Sequence, residues 1–192
     1  MDKISTLNFY REGFKKLFDE ENRAVSERIH EIVSPHTEEI AVIFYTVLLS
    51  NEKAKIYLRS EEVENRLKPT MIGWIGNLIS PKLEEDVGRY ITTQLKVGSV
   101  HARINIPMTL VNYGGRILKQ EVNRRLVQSD MDQDELARTI VYFNSMLDHS
   151  LALINETYVS DLIEHERTAQ SLRIQSSSAY LAYECEQLRS SL

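Results

Sequence analysis

The chain has 192 residues, 42% of them hydrophobic and 27% charged, a globular balance that excludes wholesale disorder. Seven glycines and four prolines are too few for the tight turns of a β-sandwich or a doubly wound sheet, so an all-α fold of long helices is expected. A net charge of −5 argues against nucleic acid or an anionic membrane as partner, and the single cysteine, Cys185, excludes an internal disulfide, a CxxC centre and a thiolate zinc cage.

In chain order, residues 7–18 carry Phe9, Phe14, Leu17 and Phe18 and read as a short helix with one apolar face. Residues 23–33 read as a second helix, which Ser34-Pro35 stops while starting the next, with Ser34 as N-cap and Pro35 at the first helical position. That third helix has a stripe through Ile40, Ile43, Phe44, Val47 and Leu48, with Tyr45 at its edge where the hydroxyl can look into a pocket. Ser60 with Glu61, Glu62 and Glu64 marks another start, with an inner face through Val63, Leu67, Thr70 or Met71, Trp74 and Leu78. Pro69 bends this helix or leaves its first turns as a separate piece.

Ser80-Pro81 repeats the start signal and opens a helix to about residue 104, with Leu83, Val87, Ile91, Gln94, Gly98 and His101 on one side. Asn105-Ile106-Pro107 breaks it. A helix over residues 107–127 follows, and Asp130 is expected to cap a last one that has no stop before the C-terminus. Residues 155–192 turn polar, with a thin heptad seam through Leu162, Ala169, Leu172, Ala179 and Tyr183, and read as a connector rather than a core helix. No run approaches the roughly 18 apolar residues of a spanning helix, and the first residues lack a signal-peptide core. A soluble chain in a reducing compartment, the cytoplasm, is expected.

Few motifs carry chemistry. Asp130, Asp132 and Asp134 open like a calcium loop, but Glu135 stands where the turn needs Gly and Val141 where the last ligand should be, so helix capping is the reading. Gly73 with Gly76, and Gly114-Gly115, suit close helix packing rather than a phosphate cradle. Cys185 reads as an incidental thiol. His30, His36, His149 and His165 have no ligand-like i,i+4 partners and take surface or capping roles. His101 differs, because it lies on an inward stripe one turn after Gly98, whose missing side chain lets something broad and flat approach. Residues alone leave His101 as a core histidine first and a ligand to an iron macrocycle second, and Tyr45 as a core tyrosine first.

The run from Val97-Gly98 through His101 to Asn105-Ile106-Pro107 resembles the proximal-histidine segment of the globin-coupled sensors, bacterial haem proteins whose N-terminal globin controls a C-terminal output domain. Val63 to Met71, Trp74-Ile75 and Leu78-Ile79-Ser80 are similar to that family's distal helix, and Phe44-Tyr45 matches its distal tyrosine. The wording around His101 and Trp74 is most similar to the oxygen-sensing diguanylate cyclases.

The resemblance implies a globin fold of the sensor type, with an extra N-terminal helix and a long C-terminal helix leaving the domain. It implies a haem-binding domain over residues 1–160 and a helical linker over 161–192 towards an output domain, most simply a diguanylate cyclase making cyclic di-GMP, with no catalysis in this chain. His101 would be the proximal iron ligand, and Tyr45, Thr70 and Leu67 the distal residues. Phe44, Leu48, Met71, Trp74, Val97 and Gly98 would line the pocket. Without a CxxCH the haem would be b-type, iron protoporphyrin IX, with dioxygen, carbon monoxide and nitric oxide as ligands. A homodimer is expected through the apolar run Ile140, Phe143, Met146 or Leu147, Leu151 and Ile154, with no nucleic acid and no membrane as partner. Competing readings are the globin of an aerotaxis receptor, a nitric-oxide-detoxifying or oxygen-carrying globin, and a globin-like interaction module that has lost haem.

Overall fold

A computed structural model describes residues 3–190, and among them every regular element is helical. The order is α1 (Lys3–Leu17), α2 (Arg23–Val33), α3 (Thr37–Leu49), the short α4 (Glu52–Lys55) and α5 (Ser60–Glu62), then α6 (Lys68–Ile79), α7 (Val87–Arg103), α8 (Met108–Val127) and α9 (Gln133–Ser190).

Asp19 Oδ1 accepts from Asn22 N–H at 3.0 Å and so opens the turn into α2, which buries Ile29 and Val33. Between α2 and α3 the chain stays helical. Ser34-Pro35 forms a single 3-10 turn in which no side chain caps α3, so the expected N-cap is not made. Ile40, Ala41, Phe44, Tyr45 and Leu48 recur at three- and four-residue steps and bury one face of α3. The stretch Glu20–Leu49 is apolar enough by length and composition to span a membrane, with one third of its most apolar window buried. Here α2 and α3 pack into the helical core.

Two expected starts move. Ser80 is extended (ψ 140°) because the following proline disfavours helical backbone, so Pro81, Lys82 and Leu83 form a strap instead of a first turn. Leu83 is exposed on it, and Asp86 Oδ2 accepts from its N–H at 3.1 Å, so the helix starts at the 3-10 turn Glu84–Asp86. The buried Lys82 donates to the Ser80 carbonyl (2.6 Å) and to the Asn77 carbonyl, above the Tyr90 ring at 5.0 Å. At α9 the cap is Asp132, whose Oδ1 accepts from Glu135 N–H at 2.8 Å. Asp130 pairs with Arg28 of α2 instead. The α4 turn, capped by Asn51 Oδ1 on Lys53 N–H (2.9 Å), had no periodicity long enough to announce it.

The dominant packing is α7 on α9, and α8 also packs on α9, antiparallel to it through the pairs Asn112–Asn155, Lys119–Asp148 and Asn123–Asn144. Gly98 permits it: a Cβ there would lie 2.6 Å from the Ile154 carbonyl oxygen. Tyr90 and Ser150 share a buried hydrogen bond of 2.8 Å on the same seam. Gly115 likewise admits Leu151, and Gly114 admits the Phe44 ring, whereas Gly73 and Gly76 face open space and serve no packing. His149 is half-buried against Gly13 and Phe14 of α1, a packing residue rather than a surface one.

The apolar run expected as a spare dimer surface is spent in the chain's own core. Phe143, Met146, Leu147 and Ile154 are fully buried, because that face of α9 meets α2, α7 and α8. Among the described residues Tyr158 is the last that is buried, and side chains described from Ile163 onward are exposed. At 1.5 Å per residue the 58-residue α9 is about 87 Å long. The Cys185 side chain lies outside the described residues.

Candidate functional site

His101 sits in the last turn of α7, and the end of that helix is tightly fixed. Asn105 adopts a left-handed backbone (φ 54°), which Asn tolerates better than most residues. Its N–H bonds to the Ala102 carbonyl at 3.0 Å and the Ile106 N–H to the His101 carbonyl at 3.1 Å, the paired bonds of a Schellman end. On the side chain, His101 Nδ1 lies 2.8 Å from the Val97 carbonyl oxygen. A carbonyl can only accept, so Nδ1 carries the proton and the neutral ring presents a lone pair at Nε2. Nε2 has no hydrogen-bond partner among the described residues, and the ring is half-exposed. A donor-fixed tautomer with a free Nε2 is the form in which histidine takes a metal.

Tyr45 approaches from α3. It is buried, its ring stands edge-on to Phe44, and its hydroxyl donates to the Leu67 carbonyl at 3.1 Å. Burial pushes the hydroxyl up to about 12, with the Arg66 guanidinium pulling the other way, so it remains a proton donor throughout the neutral range. Leu67 ends a π-helical turn, Val63–Leu67, in which Lys68 N–H reaches back five residues to the Val63 carbonyl. Pro69 lacks the N–H that the next α-helical bond would need, which accounts for the wide turn at this place. Pro69 thus neither merely bends the helix nor detaches a piece; it follows a wide turn.

Two arcs are only partly covered. On α6 and the turn before it, Leu67, Thr70, Met71 and Trp74 fall within about 100° of helix and are half-buried or exposed, beside buried Ile75, Leu78 and Ile79. On α7, Val97, Val100, His101 and Ile104 span a similar arc, beside buried Ile91, Gln94, Gly98 and Ala102. The arcs are tied by Trp74 Nε1–H, which donates to Gln94 Oε1 at 3.0 Å. Partly covered apolar surface on two helices, with an imidazole lone pair on one and a tyrosine hydroxyl held against the other, fits a flat apolar iron macrocycle.

The expected residues divide. His101, Val97, Leu67, Met71 and Trp74 lie on the arcs. Phe44, Tyr45 and Leu48 are buried in one cluster with Ile117, against which Leu67, Met71, Leu110 and Tyr113 pack. Thr70 is exposed, and its hydroxyl already donates to the Arg66 carbonyl at 2.8 Å, so as a ligand donor it would first have to break that bond. Gly98 is corrected: it faces Ile154 and Thr157 of α9, and its missing side chain makes room for a helix rather than for a macrocycle. Sequence reasoning missed Leu110, Tyr113 and Ile117 of α8, whose three- and four-residue spacing was the available signal, and the partnership of Gln94 with Trp74, for which no signal existed.

Comparisons with known proteins bear on the fold and the family. The Protoglobin family matches residues 16–164. The diguanylate cyclase DosC of Escherichia coli (strain K12) is 29% identical over 152 residues, 76% of this chain and 33% of the relative, and DosC of Shigella flexneri is 29% identical over 40% of its length. The chain thus spans a third to two fifths of the length of these curated relatives. The crystal structure of the ferric globin domain of the E. coli DosC matches with a TM-score of 0.72 at 27% identity, over 77% of this chain and 98% of that one. The globin domain of the Geobacter sulfurreducens globin-coupled sensor shares the fold, with a TM-score of 0.68 at 20% identity over 82% and 99%. A globin family carries haem binding with it, and on the match over residues 16–164 the chain belongs to the protoglobin family.

Proposed function

We propose that this chain is the haem-based gas-sensing part of a longer cytoplasmic signalling protein, with dioxygen as its main ligand and carbon monoxide and nitric oxide as others. The bound haem supplies reversible binding of diatomic gases at its iron. His101 would hold the iron through Nε2, with Nδ1–H on the Val97 carbonyl raising the basicity of the ring. Tyr45 would donate to the bound gas, and Leu67 would exclude water beside it. With a single cysteine the haem would be b-type, held without covalent attachment.

Residues 1–160 form the sensing domain in this reading, and 161–192 a linker to an output domain, most simply a diguanylate cyclase, as DosC is named. The chain itself carries no catalysis. Its partner in solution is a second copy. Support for this comes from α9, where Val159, Ile163, Ile174 and Leu181 are exposed apolar side chains within about 60° of one helical line. An isolated helix end has no use for such a stripe.

The observation that carries the function is the His101 ring, its tautomer fixed by Val97 and its Nε2 left without a protein partner. A visible absorption spectrum of the purified chain tests it. A Soret band that His101→Ala abolishes supports the reading, and a chain that neither purifies with haem nor takes it up on titration refutes it.

A further inference from the structure

Among the described residues, Gln94 is the one polar side chain among the largest that are fully buried. Its Oε1 accepts from the Trp74 indole at 3.0 Å, while its Nε2 is buried without a partner. A leucine or methionine would fill the same volume free of the desolvation penalty that the orphaned nitrogen carries. The amide is accounted for only if its oxygen is needed, and the oxygen serves Trp74.

The two residues lie on different sides of the partly covered arcs. Trp74 is two turns beyond Leu67 on α6, and Gln94 two turns before His101 on α7. These helices do not rest on one another: α6 packs mainly on α3, and α7 on α9. Gln94 is held from behind, since Tyr90 one turn earlier bonds Ser150 of α9 and Gly98 one turn later lies against Ile154. A fixed acceptor on the α9-backed helix therefore holds the indole of the α3-backed one.

We propose that the Trp74–Gln94 hydrogen bond is a tie across the buried end of the haem cleft, with Gln94 a positioning residue that sets the separation of α6 and α7 and so how firmly the macrocycle is held. The proposal rests on the haem-binding reading. Tightening comes from geometry rather than from contact with the iron, so loss of the tie should leave His101 ligation in place and speed release of the haem.

Trp74 is the only tryptophan, so a ¹⁵N-labelled chain shows a single indole N–H resonance. In the diamagnetic ferrous carbon-monoxide form, Gln94→Met should move that resonance upfield and speed its exchange with solvent. In haem transfer to an excess of apomyoglobin, Gln94→Met and Trp74→Phe should each release haem roughly three- to tenfold faster, and the double variant no faster than the quicker single. An unmoved indole resonance, or effects that multiply in the double variant, would overturn the tie. Replacing the single tryptophan with 3-benzothienylalanine keeps the bicyclic ring and removes only the N–H donor, so its haem release decides the point if Gln94→Met folds poorly. A wild-type chain that takes no haem fails the functional reading instead, and the indole shift, measured on the chain as purified, still decides the hydrogen bond.

Discussion

Tyr45→Phe separates a sensing tyrosine from a packing one. Removing the hydroxyl leaves the ring edge-on to Phe44 and deletes one hydrogen bond, the 3.1 Å donation to the Leu67 carbonyl. That neutral bond contributes about 0.5–1.5 kcal/mol, whereas donation to a partly charged acceptor contributes about 1.5–3 kcal/mol. To donate to dioxygen held in the pocket, Tyr45 must give up Leu67, so the net gain is the difference, on the order of 1–2 kcal/mol. Oxygen should then leave the variant roughly five- to thirtyfold faster. Carbon monoxide, a poorer acceptor, should leave at nearly the wild-type rate. Stopped-flow dissociation of both gases measures this, and Thr70→Val is the internal comparison, with a smaller effect expected because its hydroxyl is engaged by Arg66. Equal oxygen release from wild type and Tyr45→Phe would return Tyr45 to the core and leave the pocket without its donor.

His101→Ala should purify with little haem while keeping its helical circular dichroism, since the Schellman end of α7 uses only backbone groups of residues 101–106. Gly98→Ala drives a Cβ to within 2.6 Å of the Ile154 carbonyl oxygen and should cost about 1–3 kcal/mol, a fall in Tm of roughly 3–10 °C by calorimetry. Truncation after residue 160 should convert a dimer to a monomer in sedimentation, and Ile163→Glu with Ile174→Glu should do the same in the full chain. Burial lowers the Lys82 ammonium to about 8 from 10.5, with Asp86 opposing, so between these values the unfolded chain binds the extra proton and stability rises with pH. From pH 8 to 9.5 the gain should reach at most about 2 kcal/mol in urea titrations. Lys82→Met should abolish it. Above pH 10 the buried tyrosines Tyr45 and Tyr142, both raised to about 12, reverse the trend.

How legible the chain was depended on whether a residue's job is local. The stripe of α3 and the break after His101 rest on spacing and on Asn105-Pro107, and both are where the sequence put them. Ser80-Pro81 misled because the same pair can end one helix as well as start another; Pro81 holds Ser80 extended, and Lys82 then donates to the carbonyls of Ser80 and of Asn77 at the end of α6. Gly98 shows the limit more sharply. A missing side chain announces that something comes close without saying what, and here it is the carbonyl of a helix some fifty residues downstream. The face of α9 failed for the same reason: Phe143 to Ile154 look like surplus apolar surface until α7 and α8 cover them.

That misreading bears on how a signal leaves the pocket. Had Gly98 faced the macrocycle, His101 would be connected to the rest of the chain only through its own helix. Instead the turn that bears His101 lies directly on α9, with no side chain between Gly98 and the Ile154 backbone and with the Tyr90–Ser150 bond fixing the register two turns earlier. In the proposed function, a displacement of His101 on gas binding would not be absorbed by rotamer changes at a glycine–backbone contact, because neither partner has a rotamer to change. It would have to move α9, and α9 is the element that runs on past Tyr158 as the exposed helix. The sequence feature that first suggested room for a cofactor is thus better understood as a rigid joint between the turn of His101, the proposed haem ligand, and the helix that runs on past Tyr158.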